Sequence, residues 1–173
     1  DKNPGEFSLN WAYSDPAVTP SFGYTEPAID ADGNVYVISG NSLVKITGSG
    51  AHAWTKALSM WGGNCPDVTP SLEADGSVVY TAGGTDDAVG VYALNAADGS
   101  EKWTIGHEAF FKQNVSNKLS FWRAGVAVGD DHLFVSCTRG HSINAFSKND
   151  GSRTTYASTT ADGSKMNYSL TCS

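Results

Sequence analysis

The side chains best suited to touching another molecule sit in four long connections, residues 57–67, 82–88, 106–123 and 136–141. These carry Trp61, Asn64, Asp67, Asp86, Asp87, Glu108, Phe110, Phe111, Phe121, Trp122, Arg123, Arg139 and His141. Aromatics, acids and a few cations on long loops make a plausible binding face. Ten of them, Trp61, Asn64, Asp86, Asp87, Glu108, Phe111, Trp122, Arg123, Arg139 and His141, form the candidate ligand or partner face. Trp61 and Trp122, if exposed, would also stack on a sugar. The competing reading is that Phe110, Phe111, Phe121 and Trp122 fold back over a sheet edge.

No catalytic constellation accompanies them. Asp30-Ala31-Asp32-Gly33-Asn34 alternates oxygen side chains as a calcium loop does, yet the sixth and twelfth places hold Val35 and Asn41 instead of Gly and Glu. Asp75-Gly76 recurs at the same repeat position, so a plain turn is expected there. His52, His107, His132 and His141 show no metal-ligand spacing on one element, and no Gly-x-Ser-x-Gly elbow exists. Gly62-Gly63 and Gly83-Gly84 lack the strand-to-helix setting of a phosphate loop. Asn114-Val115-Ser116 and Asn167-Tyr168-Ser169 fit the glycosylation sequon and read as incidental. The expectation is a chain that is not an enzyme and holds no metal or cofactor of its own.

Eighteen acidic against eleven basic residues give a net charge of −7, and the cations are scattered. That excludes a phosphate-neutralising surface, so neither nucleic acid nor an anionic membrane is an expected partner. No run approaches the ~18 apolar residues of a membrane span. No charged-then-apolar leader opens the sequence, so an export signal is expected to have been removed or to lie outside it. Cys65, Cys137 and Cys172 allow at most one disulfide, and no Cys-x-x-Cys pair is present.

The elements that must carry the loops follow from a repeat. Pro27 to Trp54 contains Asp32-Gly33-Asn34-Val35-Tyr36-Val37, Leu43-Val44-Lys45-Ile46 and a Gly48–Gly50 turn. Pro70 to Ile105 contains Asp75-Gly76-Ser77-Val78-Val79-Tyr80, Val91-Tyr92-Ala93-Leu94 and Asp98-Gly99-Ser100. A looser third copy contains Asp130-Asp131, Leu133-Phe134-Val135-Ser136, Ile143-Asn144-Ala145-Phe146 and Asp150-Gly151-Ser152. Each copy reads as four short strands, with Asp and Gly supplying the positive φ of tight turns and β-branched and aromatic residues supplying the strands. With 40% hydrophobic, only 17% charged residues and 19 glycines, the composition suits short strands and many turns rather than long helices.

A four-stranded repeat of this length is the mark of a β-propeller blade. The bulky residue closing the fourth strand is read at Trp11, Trp54, Trp103 and Tyr156, a structural blade-closing set. The expected architecture is all-β, with blades at about 24–56, 68–105 and 123–157 and partial-blade strands at 7–13 and 166–173. In a propeller, the loops after the fourth strand and between the second and third share one face, which is where the ten candidate residues fall. Roughly 3.6 blades do not make a whole ring. The chain is therefore expected to be part of a longer propeller, or to close a ring with a second copy.

The run Val91-Tyr92-Ala93-Leu94-Asn95-Ala96-Ala97-Asp98-Gly99-Ser100-Glu101-Lys102-Trp103 closely resembles the pyrroloquinoline-quinone (PQQ) repeat. Residues 35–54 match it moderately and 133–156 weakly, with Phe146 for the Leu and Tyr156 for the Trp. The resemblance implies an exported bacterial propeller, extracellular, at the cell surface or periplasmic. Quinone-dependent dehydrogenases of that family use a complete eight-blade ring, a vicinal cysteine pair and calcium beside a catalytic Asp. This chain has no adjacent cysteines, so PQQ or calcium would enter only in a complete ring. The leading expectation is a non-enzymatic binding or scaffold module for a protein or carbohydrate. The alternatives are a fragment of a PQQ-dependent dehydrogenase and an assembly protein whose blade edges or loops dock partner strands.

Overall fold

The computed structural model describes residues 10–14, 26–58, 69–85, 88–106, 125–137 and 142–158. Among them the chain forms three four-stranded antiparallel sheets and no helix. The first sheet is β1 (Ala28–Ile29), β2 (Val35–Ser39), β3 (Ser42–Ile46) and β4 (His52–Ala57). The second is β5 (Ser71–Leu72), β6 (Val78–Thr85), β7 (Ala88–Asn95) and β8 (Glu101–Gly106). The third is β9 (Val126–Val128), β10 (His132–Cys137), β11 (Ser142–Ser147) and β12 (Arg153–Ser158). Each is a simple meander, the expected all-β propeller blade.

The short first strands gather on one side. β1 lies beside β5 and β5 beside β9. Thr69 bridges Gly125 in parallel, and the Ser71 hydroxyl donates to the Val126 carbonyl at 2.5 Å. The blades therefore stack face to face around their inner strands. A middle blade is covered on both faces, which is why Val78-Val79-Tyr80-Thr81-Ala82 is buried throughout rather than alternating.

Two apolar layers fill the spaces between sheets. Tyr36, Ile38, Leu43 and Leu58 meet Val79, Tyr92 and Leu94 between the first and second blades. Val78, Tyr80, Ala82, Val91, Ala93 and Trp103 meet Val126, Leu133, Val135 and Phe146 between the second and third.

Every blade has the same irregularity. The third and fourth strands slip register by one residue at Lys45/Ile46, Ala93/Leu94 and Ala145/Phe146. Such bulges add local twist and set which residues of the outer strand face the next blade. Trp54 thereby pairs with Lys45 and Trp103 with Ala93. In the third blade Ala145 pairs with Thr155, and Tyr156 pairs with Asn144. The place of the tryptophans is thus held by Thr155; reading Tyr156 as the closing aromatic misses the register by one residue.

Residues 10–14 form no strand among the described residues. They lie against the first blade, with the Tyr13 ring stacked on His52 at 6.2 Å. The segment 166–173 lies outside the described residues.

Candidate functional site

The chemistry of the described residues is concentrated where blades meet. Each of the two seams, and the packing of residues 10–14 on the first blade, is locked by an indole seated on a glycine turn. Trp11 Nε1 donates to the Gly48 carbonyl, Trp54 Nε1 to that of Ala96 and Trp103 Nε1 to that of Lys148, at 3.1, 3.2 and 2.9 Å. The turns beneath them carry Gly50, Gly99 and Gly151 at φ +86°, +73° and +72°. A Cβ there would lie 2.6, 2.8 and 2.6 Å from atoms of Trp11, Trp54 and Trp103 or its neighbour Ile105. Glycine is required twice over, for the left-handed backbone and for the space the indole fills. Asp98 and Asp150 complete the last two turns, each accepting from the backbone and hydroxyl of Ser100 and Ser152 respectively. The Ser100 groups hold the Asp98 carboxyl below its ordinary value, and those of Ser152 do the same for Asp150.

A second device is an acid that anchors a tyrosine. Tyr36 donates its phenol to Asp30 Oδ2 at 3.0 Å, and Tyr80 donates to Glu73 Oε2 at 2.9 Å. Both rings are fully buried, so each hydroxyl needs an acceptor. The Asp30 oxygens also take the backbone amides of Asp32 and Asn34 and the Asn34 amide. They are thus consumed by the turn, as the plain-turn reading expects. Burial opposes ionisation of Asp30, but these donors outweigh it and hold its carboxyl below the ordinary range. Burial and the neighbouring carboxylate push the phenols of Tyr36 and Tyr80 well up.

Lysines cross both seams. Lys45 Nζ lies 5.2 Å from the Tyr36 ring centre and donates to the Ala96 carbonyl, while Lys56 pairs with Glu101 at 2.7 Å. At the other seam Lys148 Nζ bonds Glu73 Oε1 at 2.7 Å and the Gly129 carbonyl at 3.0 Å. Burial disfavours the Glu73 carboxylate, but Lys148 and Tyr80 more than compensate and hold its carboxyl below its ordinary value. This pair forms part of the wall of a cleft of about 350 Å³ lined by Leu72, Glu73, Ala74, Val128, Gly129, Asp130 and Lys148. Among the described residues no three His, Cys, Asp or Glu side chains converge to hold a metal ion.

The outer face of the third blade is built differently. Gly129 stands at the place of Asp30 and Glu73, immediately after the inner strand, and Phe134 stands at the place of Tyr36 and Tyr80. The Phe134 ring leans over Gly129, where a Cβ would approach it to 3.2 Å.

The loop-face candidates Trp61, Asn64, Asp86, Asp87, Glu108, Phe111, Trp122, Arg123, Arg139 and His141 lie outside the described residues. Their connections leave from Ala57, Thr85, Gly106 and Cys137, the strand ends opposite the cleft. Of the aromatic set, Trp11, Trp54 and Trp103 sit on glycine turns. Sequence reasoning missed the acid–tyrosine pairs and Lys148. The spacing of an acid six or seven residues before a Tyr in two copies was the available signal.

A family model described as outer membrane protein assembly factor BamB (PQQ_2) matches residues 15–119, more than half of the chain. Among solved structures the chain is similar to BamB from Moraxella catarrhalis, at 17% identity and TM-score 0.58, covering 84% of this chain and 38% of that one. It is similar to a quinohemoprotein alcohol dehydrogenase from Comamonas testosteroni, at 19% identity and TM-score 0.58, covering 81% and 21%. A europium-containing methanol dehydrogenase is similar at 16% identity and TM-score 0.58, covering 87% and 27%. The chain thus spans less than two fifths of the length of each, and at these identities the likeness is one of fold. No curated protein matches the chain.

Proposed function

We propose that this chain, which belongs to the PQQ_2 family described as outer membrane protein assembly factor BamB, is a rigid, non-enzymatic docking segment of a bacterial cell-envelope propeller. The observation that carries this reading is the construction of the seams. Indoles on glycine turns, buried phenols on acids and lysines on carbonyls fill the space between blades. A stack fixed in this way presents its loops on a stiff frame, and loops held by a rigid scaffold are where binding residues belong. The family description supports a protein as the partner and the envelope as the place. The acidic net charge of −7 favours a basic partner surface.

The partner is received on the loop face that carries Trp61, Asp86, Trp122 and Arg123. A photo-crosslinking amino acid placed at Trp122 or Asp86 of the intact parent protein, in its source cell, is expected to capture one defined envelope protein. The same label at Asp75 or Asp98, on the opposite strand ends, is expected not to capture it. Tight binding of pyrroloquinoline quinone with calcium to that parent protein, seen as a bound absorbance, would replace the docking reading with a dehydrogenase.

A further inference from the structure

We propose that the cleft between the second and third blades is a pocket for a cationic side chain, guanidinium or ammonium, presented by a protein partner. It is independent of the loop-face reading, because the cleft opens at the other ends of the strands.

Three charged residues line the cleft, Glu73, Asp130 and Lys148, so its net charge is negative. Two of the three cancel. Glu73 accepts from Lys148 on one oxygen and from Tyr80 on the other, and Lys148 is spread over Glu73 and the Gly129 carbonyl. These bonds are made by half-buried groups within the wall, and they fix it. The Asp130 carboxylate has no partner among the described residues and lies exposed at the rim. An arriving anion would meet this uncompensated carboxylate. An arriving cation would meet a lysine already neutralised and an acid still free.

The other seam supplies an internal comparison. The positions equivalent to Asp130 and Lys148 are held in the second blade by Ala74 and Ala96. Glu73 has its counterpart in Asp30, whereas Asp130 and Lys148 are features of one seam and not of the repeat. At about 350 Å³ the cleft is at the small end of binding pockets, suited to one long side chain with its flanking backbone. With seven more acids than bases in the chain, the encounter is steered toward basic segments.

The test uses the 173-residue chain, isotopically labelled, titrated at low salt with the acetylated, amidated peptide Gly-Arg-Gly and followed by amide chemical shifts. Saturable shifts are expected at Ala74, Gly129 and Asp130, disappearing at high salt. Asp130→Asn should weaken the binding about threefold or more, the scale of a single exposed ion pair. Asp98→Asn, an equally exposed acid on a turn outside the cleft, should leave it unchanged. The same peptide with Glu for Arg should produce no shift at these amides. Absence of saturable binding, binding indifferent to Asp130→Asn, or binding of the Glu peptide at the cleft would each overturn the proposal. Free spermidine binding more tightly than the Arg peptide would overturn the assignment to a protein partner.

Discussion

At the two seams Tyr36 and Tyr80 are 0% and 1% exposed, whereas Phe134 at the same register on the third blade is 37% exposed. The difference extends to the three side chains that the first two blades share at their seams. The acid becomes Gly129, the phenol becomes Phe134, and the tryptophan place becomes Thr155. Yet the third blade has the same four-strand meander, the same bulge and the same Asp-Gly-Ser turn as the second. Turns and bulges therefore build a blade. Acid, tyrosine and tryptophan build the contact to the next one, and they are absent together. A buried phenol without an acceptor is costly, so Tyr and acid have reason to come or go as a pair.

The comparison is most severely tested by Trp103→Ala. It should cost about 3–5 kcal/mol in urea unfolding, the usual loss for a buried aromatic. An unchanged midpoint would mean that the indole does not hold the seam. Gly151→Ala attacks the same lock from the socket side, and should cost about 2 kcal/mol or more because φ is positive and the indole occupies the space. Lys148→Met leaves Glu73 half-buried with one partner gone, an expected loss of about 1–3 kcal/mol. It should also flatten the acid limb of stability. Glu73 has a folded value below its ordinary 4.5, so its contribution is full above that pH and disappears as pH falls through the lowered value. A wild-type acid limb retained in the variant would remove the pair from the seam. Smallest are two phenol exchanges. Tyr80→Phe should cost about 1 kcal/mol for the lost bond to Glu73, and Phe134→Tyr should change stability by less than about 0.5 kcal/mol. Equal effects from the two would erase the distinction between seam and outer face.

Much of the seam was legible in the sequence. Trp11, Trp54 and Trp103 alternate along the chain with the glycine turns at Gly48 to Gly50, Gly99 and Gly151, and the Asp-Gly turns announced the hairpins. Tyr156 misled because an aromatic one residue away from the expected place is invisible as an error until the bulge fixes the register. The acid–tyrosine pairs were blurred by turn length, since Asp30 and Tyr36 are six apart and Glu73 and Tyr80 seven. The Lys148–Glu73 pair was out of reach for a different reason. Its members are 75 residues apart on turns of separate blades, and only stacking brings them together. Asp130 looked like half of an Asp-Asp hairpin, and nothing local marks it as the rim of a cleft.

The indole locks also give the stack a direction. In each, the ring comes from the earlier segment and the glycine turn from the later one, at Trp11 on Gly50, Trp54 on Gly99 and Trp103 on Gly151. Plug and socket thus lie on opposite faces of a blade, and two like faces cannot mate. A contact of this kind between separate molecules is heterologous, growing head to tail into a closed ring of two or more copies or into an open filament, and never pairing two like faces. For a duplicated or transplanted blade, the rule is that it fits only in one orientation and only beside neighbours that supply the missing half.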